Sequence, residues 1–244
     1  MGTTIAICGK GGVGKTTIAA LIVRELIGHA AKGVLAVDAD PNACLALTLG
    51  VEVGGVVAEL RDQTRMKTPS NTGMDRVNAF EYGLNEIVTE ARGFDLVTMG
   101  HPEGPSCYCA ANNMLRRFLD KLSSQYSFVV LDNEAGMEHL SRRTTNHVDL
   151  LLIVAEPTKI GQITAQRIVA LTQNLPIKIK QCGVLWSRSD QTVDLEGIDT
   201  LGHVPFDQSM VDASMEGKSI FEIDAHSPAR AAVQELIQER LNLT

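Results

Sequence analysis

The sequence contains no run of about twenty apolar residues, the length that a spanning helix needs to cross a hydrocarbon core. Met1 leads directly into an apolar strand, without the charged and then apolar order of a secretory leader, so a cytoplasmic protein with no membrane attachment is expected. Basic residues are in deficit: 22 Lys and Arg against 29 Asp and Glu leave a net charge of −7, which argues against a nucleic-acid partner held by a basic face. There is no internal repeat, no low-complexity segment and no linker-like shift in composition. A single domain over residues 1–244 is therefore expected. The five cysteines, an odd number, make a poor disulfide frame and read better as thiols or metal ligands.

What the chain does have is a steady alternation of short apolar runs and helical periodicity. Thr4–Cys8, Val34–Val37, Phe94–Met99, Phe128–Leu131, Leu150–Val154 and Lys180–Leu185 read as strands, and Gly202–Asp207 closes this region. Ile18, Leu21, Ile22 and Leu26 recur at helical spacing, and further helices are expected over Leu84–Ala91, Asn112–Ser123, Lys159–Leu175 and Pro228–Leu241. Pro69–Gly73 reads as a loop. Runs that are apolar on both faces suit strands covered from both sides, which predicts an α/β fold with a mostly parallel central sheet and helices on both faces.

One motif organises the rest. Gly9-Lys10-Gly11-Gly12-Val13-Gly14-Lys15-Thr16-Thr17 fits the phosphate-binding pattern GxxxxGK[ST] and lies between a predicted strand and a predicted helix, the context the pattern requires. Its glycines let successive backbone N–H groups curl around phosphate oxygens at the positive end of the helix. Lys15 then reaches the β- and γ-phosphates, and the Thr16 hydroxyl ligates Mg²⁺. Asp132, at the end of an apolar strand, fits the carboxylate that holds magnesium through water.

Lys10, directly after the first glycine, makes the loop resemble the deviant Walker A (SIMIBI) P-loop ATPases, the group of nitrogenase iron protein, MinD and ParA. The resemblance implies a dimerising ATP hydrolase in which Lys10 crosses to the partner's nucleotide and contributes to hydrolysis together with Lys15. It also implies that Asp38-x-Asp40 is switch I, with Asp40 orienting the attacking water and Asp38 an indirect magnesium partner. Two helix-capping aspartates ahead of Pro41 are the other reading. Switch II would run over Asn133–Glu138, with Gly136 free to swing. Where that group places an asparagine that reads adenine, this chain has Ser187 between Trp186 and Arg188. Pro205-Phe206-Asp207 resembles the group's second adenine-contacting segment, so ATP/ADP is expected from the resemblance rather than from a base contact.

Cys107-x-Cys109 follows the C-terminal end of a predicted strand, where α/β proteins place ligand sites. Two thiolates are half of a tetrahedral site, and a two-fold dimer supplies the other half. Buried or redox-active thiols fit the bare spacing equally well. The surrounding segments Gly100–Asn113 and Asp132–Arg143 closely resemble the CooC-type ATPases, which mature nickel carbon monoxide dehydrogenase; Ser106 departs from the glycine that relatives tend to carry. That resemblance covers nearly the whole chain. It implies Zn²⁺ or Ni²⁺ at a CxC pair shared across a homodimer, formed on ATP or metal binding, and a nickel carbon monoxide dehydrogenase or acetyl-CoA synthase as client.

Two other functions compete. An electron-transfer ATPase like nitrogenase iron protein takes a cluster thiolate from switch II, yet residues 132–140 contain no cysteine. A positioning ATPase like MinD or ParA remains open, although Val233, Leu236, Ile237 and Leu241 form a stripe flanked by Arg230, Glu235, Glu239 and Arg240. Such mixed charge is expected on a helix docked against the sheet rather than on a membrane. Cys8 and Cys182 read as small hydrophobes, while Cys44 and His101 are candidate neighbours of the two sites.

Overall fold

The computed structural model describes residues 2–60, 63, 80, 82–100, 122–134 and 146–243. Its centre is an eight-stranded sheet in the order β3-β4-β2-β5-β1-β6-β7-β8. The strands are β1 (Thr3–Gly9), β2 (Val34–Asp38), β3 (Thr89–Ala91), β4 (Phe94–Thr98), β5 (Phe128–Asp132), β6 (His147–Ala155), β7 (Lys178–Ser187) and β8 (Asp199–Val204). Every pairing is parallel except β3 with β4. The helices named here are α1 (Lys15–Ile27), α2 (Cys44–Leu49), α3 (Lys159–Thr172), α4 (Gln208–Met215) and α5 (Pro228–Leu241).

Alternating strand residues feed two cores, one on each face. Ile5, Ile7, Ala36, Val130 and Leu152 point toward α1, α2 and α5, while Ala6, Leu35, Val129, Leu151 and Ile153 point toward α3 and the helical turn at residues 82–87. Helix α1 is buried almost all round, which is expected of a helix pressed between the sheet and two other helices. The stripe of α5 is spent in the core: Val233, Leu236 and Ile237 are buried. Among the described residues no helix is long and apolar enough to cross a membrane.

One expectation changes, and two helices are added. Leu84–Ala91 is not one helix: residues 82–87 are helical, and Thr89–Ala91 then pairs antiparallel with β4 through a tight turn at Arg92-Gly93. Gly93 takes φ +91, a region that other residues enter at a cost, and a Cβ there would meet Ile27. Helices α2 and α4 have no counterpart in the periodicity, because neither shows a long apolar stripe; in α4 only Ala213 is buried. The expected Pro69–Gly73 loop, Cys107, Cys109, His101, Gly136 and all but the last residues of the Asn112–Ser123 helix lie outside the described residues.

Candidate functional site

β1 stops at Gly9, the loop turns over residues 10–14, and α1 begins at Lys15. Glycine is required at both hinges. Gly9 has φ +148, and a Cβ there would run into the carbonyl oxygen of Val154 on β6; Gly14 has φ +93 and forms the left-handed N-cap of α1. Lys15 is buried, and its Nζ donates to the backbone carbonyl of Lys10 at 3.2 Å, which points the ammonium back into the loop. Lys10 itself is exposed. It lines a cavity of about 250 Å³ with Val13, Glu156, Thr158 and Ile160, distinct from the cavity beside Ser187 described below.

The sheet order places β5 between β1 and β2, so Asp132 and Asp38 arrive side by side at the C-terminal edge next to the loop. Their environments differ. Asp38 accepts from Asp40 N–H at 3.1 Å and from Leu45 N–H at 2.8 Å, satisfying an orphan donor in the first turn of α2. Burial nevertheless pushes it up to about 7, helped by Asp132, against the lowering effect of those two bonds. Asp132 is 1 % exposed, and neither of its oxygens makes a well-formed hydrogen bond among the described residues. Burial pushes it up to about 6. The nearby Thr16 hydroxyl and Lys15 charge lower it without overcoming that penalty, and Asp40 adds to it.

A buried carboxylate without a well-formed hydrogen bond among the described residues, beside a threonine hydroxyl and under a phosphate-binding loop, is the arrangement that a hydrated divalent cation satisfies. Thr16, Asp132 and, less directly, Asp38 fit Mg²⁺ on that observation. Asp40 is half-buried and accepts from Asn42 N–H at 2.9 Å and Asn42 Nδ2 at 2.8 Å, which closes a short turn and sets the carboxylate at the rim of the same edge.

On the other side of the loop lies a cavity of about 300 Å³, lined by Gly14, Thr17, Ser187, Arg188, Pro205, Phe206 and Asp207. The two segments singled out for the base, around Ser187 and Pro205–Asp207, therefore meet at one place. Ser187 stands where its Oγ would lie 3.5 Å from a Cβ at Gly14, so it abuts the loop. Met210, Val211, Ser214 and Met215 of α4 complete the wall. They were not foreseen, because α4 was not; the signal available was Asp207 followed by Ser209, a helix-starting pattern.

Of the thiols, Cys8 is fully buried, and burial raises it far beyond physiological pH. Cys182 is pushed up to about 11 by burial and Asp199. Cys44 is raised by partial burial, then by Asp38, Asp40 and Asp132, which disfavours the thiolate that a metal would require. Among the described residues no group of three or more His, Cys, Asp and Glu could hold a metal ion.

The chain is similar to known proteins along nearly its full length. Residues 4–220 match the CobQ/CobB/MinD/ParA nucleotide binding domain family. An uncharacterised ATP-binding protein of Methanocaldococcus jannaschii is 34% identical over 249 residues, covering 98% of each chain. The carbon monoxide dehydrogenase accessory protein CooC of Rhodospirillum rubrum is 31% identical over 264 residues, again covering 98% of each. Among solved structures, a ParA family ATPase from Chlorobium tepidum superposes with a TM-score of 0.73 at 19% identity, covering 96% of each chain. The septum site-determining protein MinD of Pyrococcus horikoshii, complexed with Mg-ADP, gives 0.69 at 22% identity, covering 98% of this chain and 96% of that one. These two likenesses speak for the fold alone. With a glycine loop, a buried lysine and a buried carboxylate gathered at one sheet edge, and with the match extending over residues 4–220, the chain belongs to the CobQ/CobB/MinD/ParA family of ATP-binding P-loop proteins.

Proposed function

We propose that this chain is a single-domain ATP hydrolase that works as a dimer to deliver metal, as a maturation factor for nickel carbon monoxide dehydrogenase, acetyl-CoA synthase or a related nickel enzyme. The observation that carries the hydrolytic half is Asp132, a buried carboxylate without a well-formed hydrogen bond among the described residues, next to Thr16 and the phosphate loop. Thr16, Asp132 and Asp38 would hold magnesium, which when bound neutralises charge on the β- and γ-phosphates. Lys15, already directed into the loop, stabilises the charge that develops on the transferring phosphoryl group. Asp40, on the rim, orients water for attack, and Lys10, exposed in the loop, reaches the partner's nucleotide.

The client half is supported by the near full-length similarity to an accessory protein of carbon monoxide dehydrogenase. It is also supported by the Cys107-x-Cys109 pair, two sulfurs that need two more from a second chain for a four-coordinate Zn²⁺ or Ni²⁺. Nucleotide and metal would then both act on how two chains meet, and each would bias the other.

The test is sizing and metal analysis of wild type, Asp40→Asn and a Cys107→Ala, Cys109→Ala double variant, with and without ATP and magnesium. Asp40→Asn is expected to bind nucleotide, to release almost no phosphate and to accumulate as a dimer. Wild type is expected to hold one thiophilic ion per two chains, and the double variant none. One tight ion per monomer, or full binding by the double variant, would overturn the shared site and leave an ATPase of the MinD or ParA kind.

A further inference from the structure

The carboxylate of Asp207 is fully engaged. Oδ1 accepts from Ser209 N–H at 2.9 Å and Ser209 O–H at 2.6 Å; Oδ2 accepts from Ser227 O–H at 2.6 Å and Ala229 N–H at 3.4 Å. A carboxylate offers roughly four acceptor positions, so none is left for the amino group of a base. One carboxylate thus serves two helices that are distant in sequence. It is the N-cap of α4, and through Ser227 and Ala229 it also satisfies the first turn of α5. Its negative charge sits at the positive ends of both helices. Ser227 is itself spoken for: it caps α5 by accepting from Arg230 N–H while donating to Asp207.

Both helices wall the 300 Å³ cavity, α4 along one side through Met210, Val211, Ser214 and Met215, and α5 at its first turn through Ala229. Ser227 does not line it. We propose that Asp207 is a positioning residue of the nucleotide site, which sets the affinity for the nucleoside part of the ligand by fixing α4 against α5 and does not itself touch the base. The proposal rests on the reading of this cavity as the nucleoside end of an ATP site. Phosphate binding, which belongs to residues 9–17, is predicted to be independent of the Asp207–Ser227 link.

Calorimetric titration of magnesium ATP and of magnesium tripolyphosphate into wild type, Asp207→Asn, Ser227→Ala and Ser227→Thr tests it, run well below each variant's melting temperature. Asp207→Asn and Ser227→Ala are expected to weaken ATP binding about tenfold and to leave tripolyphosphate within about twofold. Ser227→Thr keeps the hydroxyl and is expected to behave as wild type. Equal losses for both ligands would make the link a matter of general stability and overturn the proposal. Unchanged ATP affinity, or a change in preference between ATP and GTP on Asp207→Asn, would overturn it as well, the latter by revealing a base contact. Wild type that binds tripolyphosphate but gains nothing from the nucleoside would remove the reading of the cavity, whereas a nucleoside contribution that survives in both variants removes only the Asp207 link.

Discussion

Asp132, the last residue of β5, and Asp207, just past the end of β8, are both buried aspartates flanking the same loop. Asp132 has no well-formed hydrogen bond among the described residues and is pushed up to about 6 by burial. For Asp207, burial also works to raise the pKa, but the bonds from Ser209, Ser227 and Ala229 prevail and hold it below the usual carboxylate range. The same side chain therefore means opposite things at the two ends of the site. Beside the phosphate loop, a group without a well-formed hydrogen bond among the described residues is free to serve a ligand; beside the 300 Å³ cavity, a group whose acceptors are all engaged serves the fold.

The largest effect that would test this division comes from Lys15→Ala. Phosphate release with magnesium ATP is expected to fall by at least about 10³-fold, because phosphate binding and transition-state charge are lost together. A loss no greater than that of Ser227→Ala would erase the difference between the two ends.

Stability gives the sharper contrast, because the signs oppose. A carboxylate whose folded pKa is raised draws stability away as pH climbs from about 4, its unfolded value, to about 6. Asp132→Asn is thus expected to stabilise the metal-free protein at pH 7.5 by about 1–3 kcal/mol and to abolish further stabilisation by magnesium ATP. Asp207, with its pKa held down, contributes stability above its unfolded value that is lost as pH falls through the folded one. Asp207→Asn is expected to destabilise at pH 7.5 by about 1–3 kcal/mol. Denaturant melts of both variants measure this directly, and two shifts of the same sign would break the comparison.

The smallest effect lies between the two cavities. Arg188 Nη1 and Glu156 Oε1 are 3.2 Å apart, but about half and a third of the side chains are exposed. Glu156→Gln is expected to change stability by less than about 1 kcal/mol, and by nothing measurable in high salt. Urea melts at two ionic strengths check it.

Much of the sheet was legible because buried parallel strands are continuous apolar runs, and Phe128–Leu131 or Leu150–Val154 admit few other readings. The loop was legible because its spacing is fixed by phosphate geometry. What escaped was held by single contacts rather than by periodicity. β3 is three residues on an edge, α2 is six residues capped from a distance by Asp38, and α4 buries one alanine. The resemblance singled out Asp207 for the base; its hydrogen bonds add what the sequence does not carry, that its acceptors are committed to the starts of α4 and α5.

The position of β1 has a consequence for synthesis. Ile5 is flanked by Val130 on one side and Leu150 on the other, so β1 pairs with strands made on the order of a hundred residues after it. At roughly 5–20 residues per second, Thr3–Gly9 and the loop behind it wait for many seconds before either neighbour exists. The closing of the sheet around β1 joins the two ends of a long loop of chain, a step that local helix formation cannot hasten. The phosphate loop, made before both of its supporting neighbours, thereby acquires its shape only once β5 and β6 are in place.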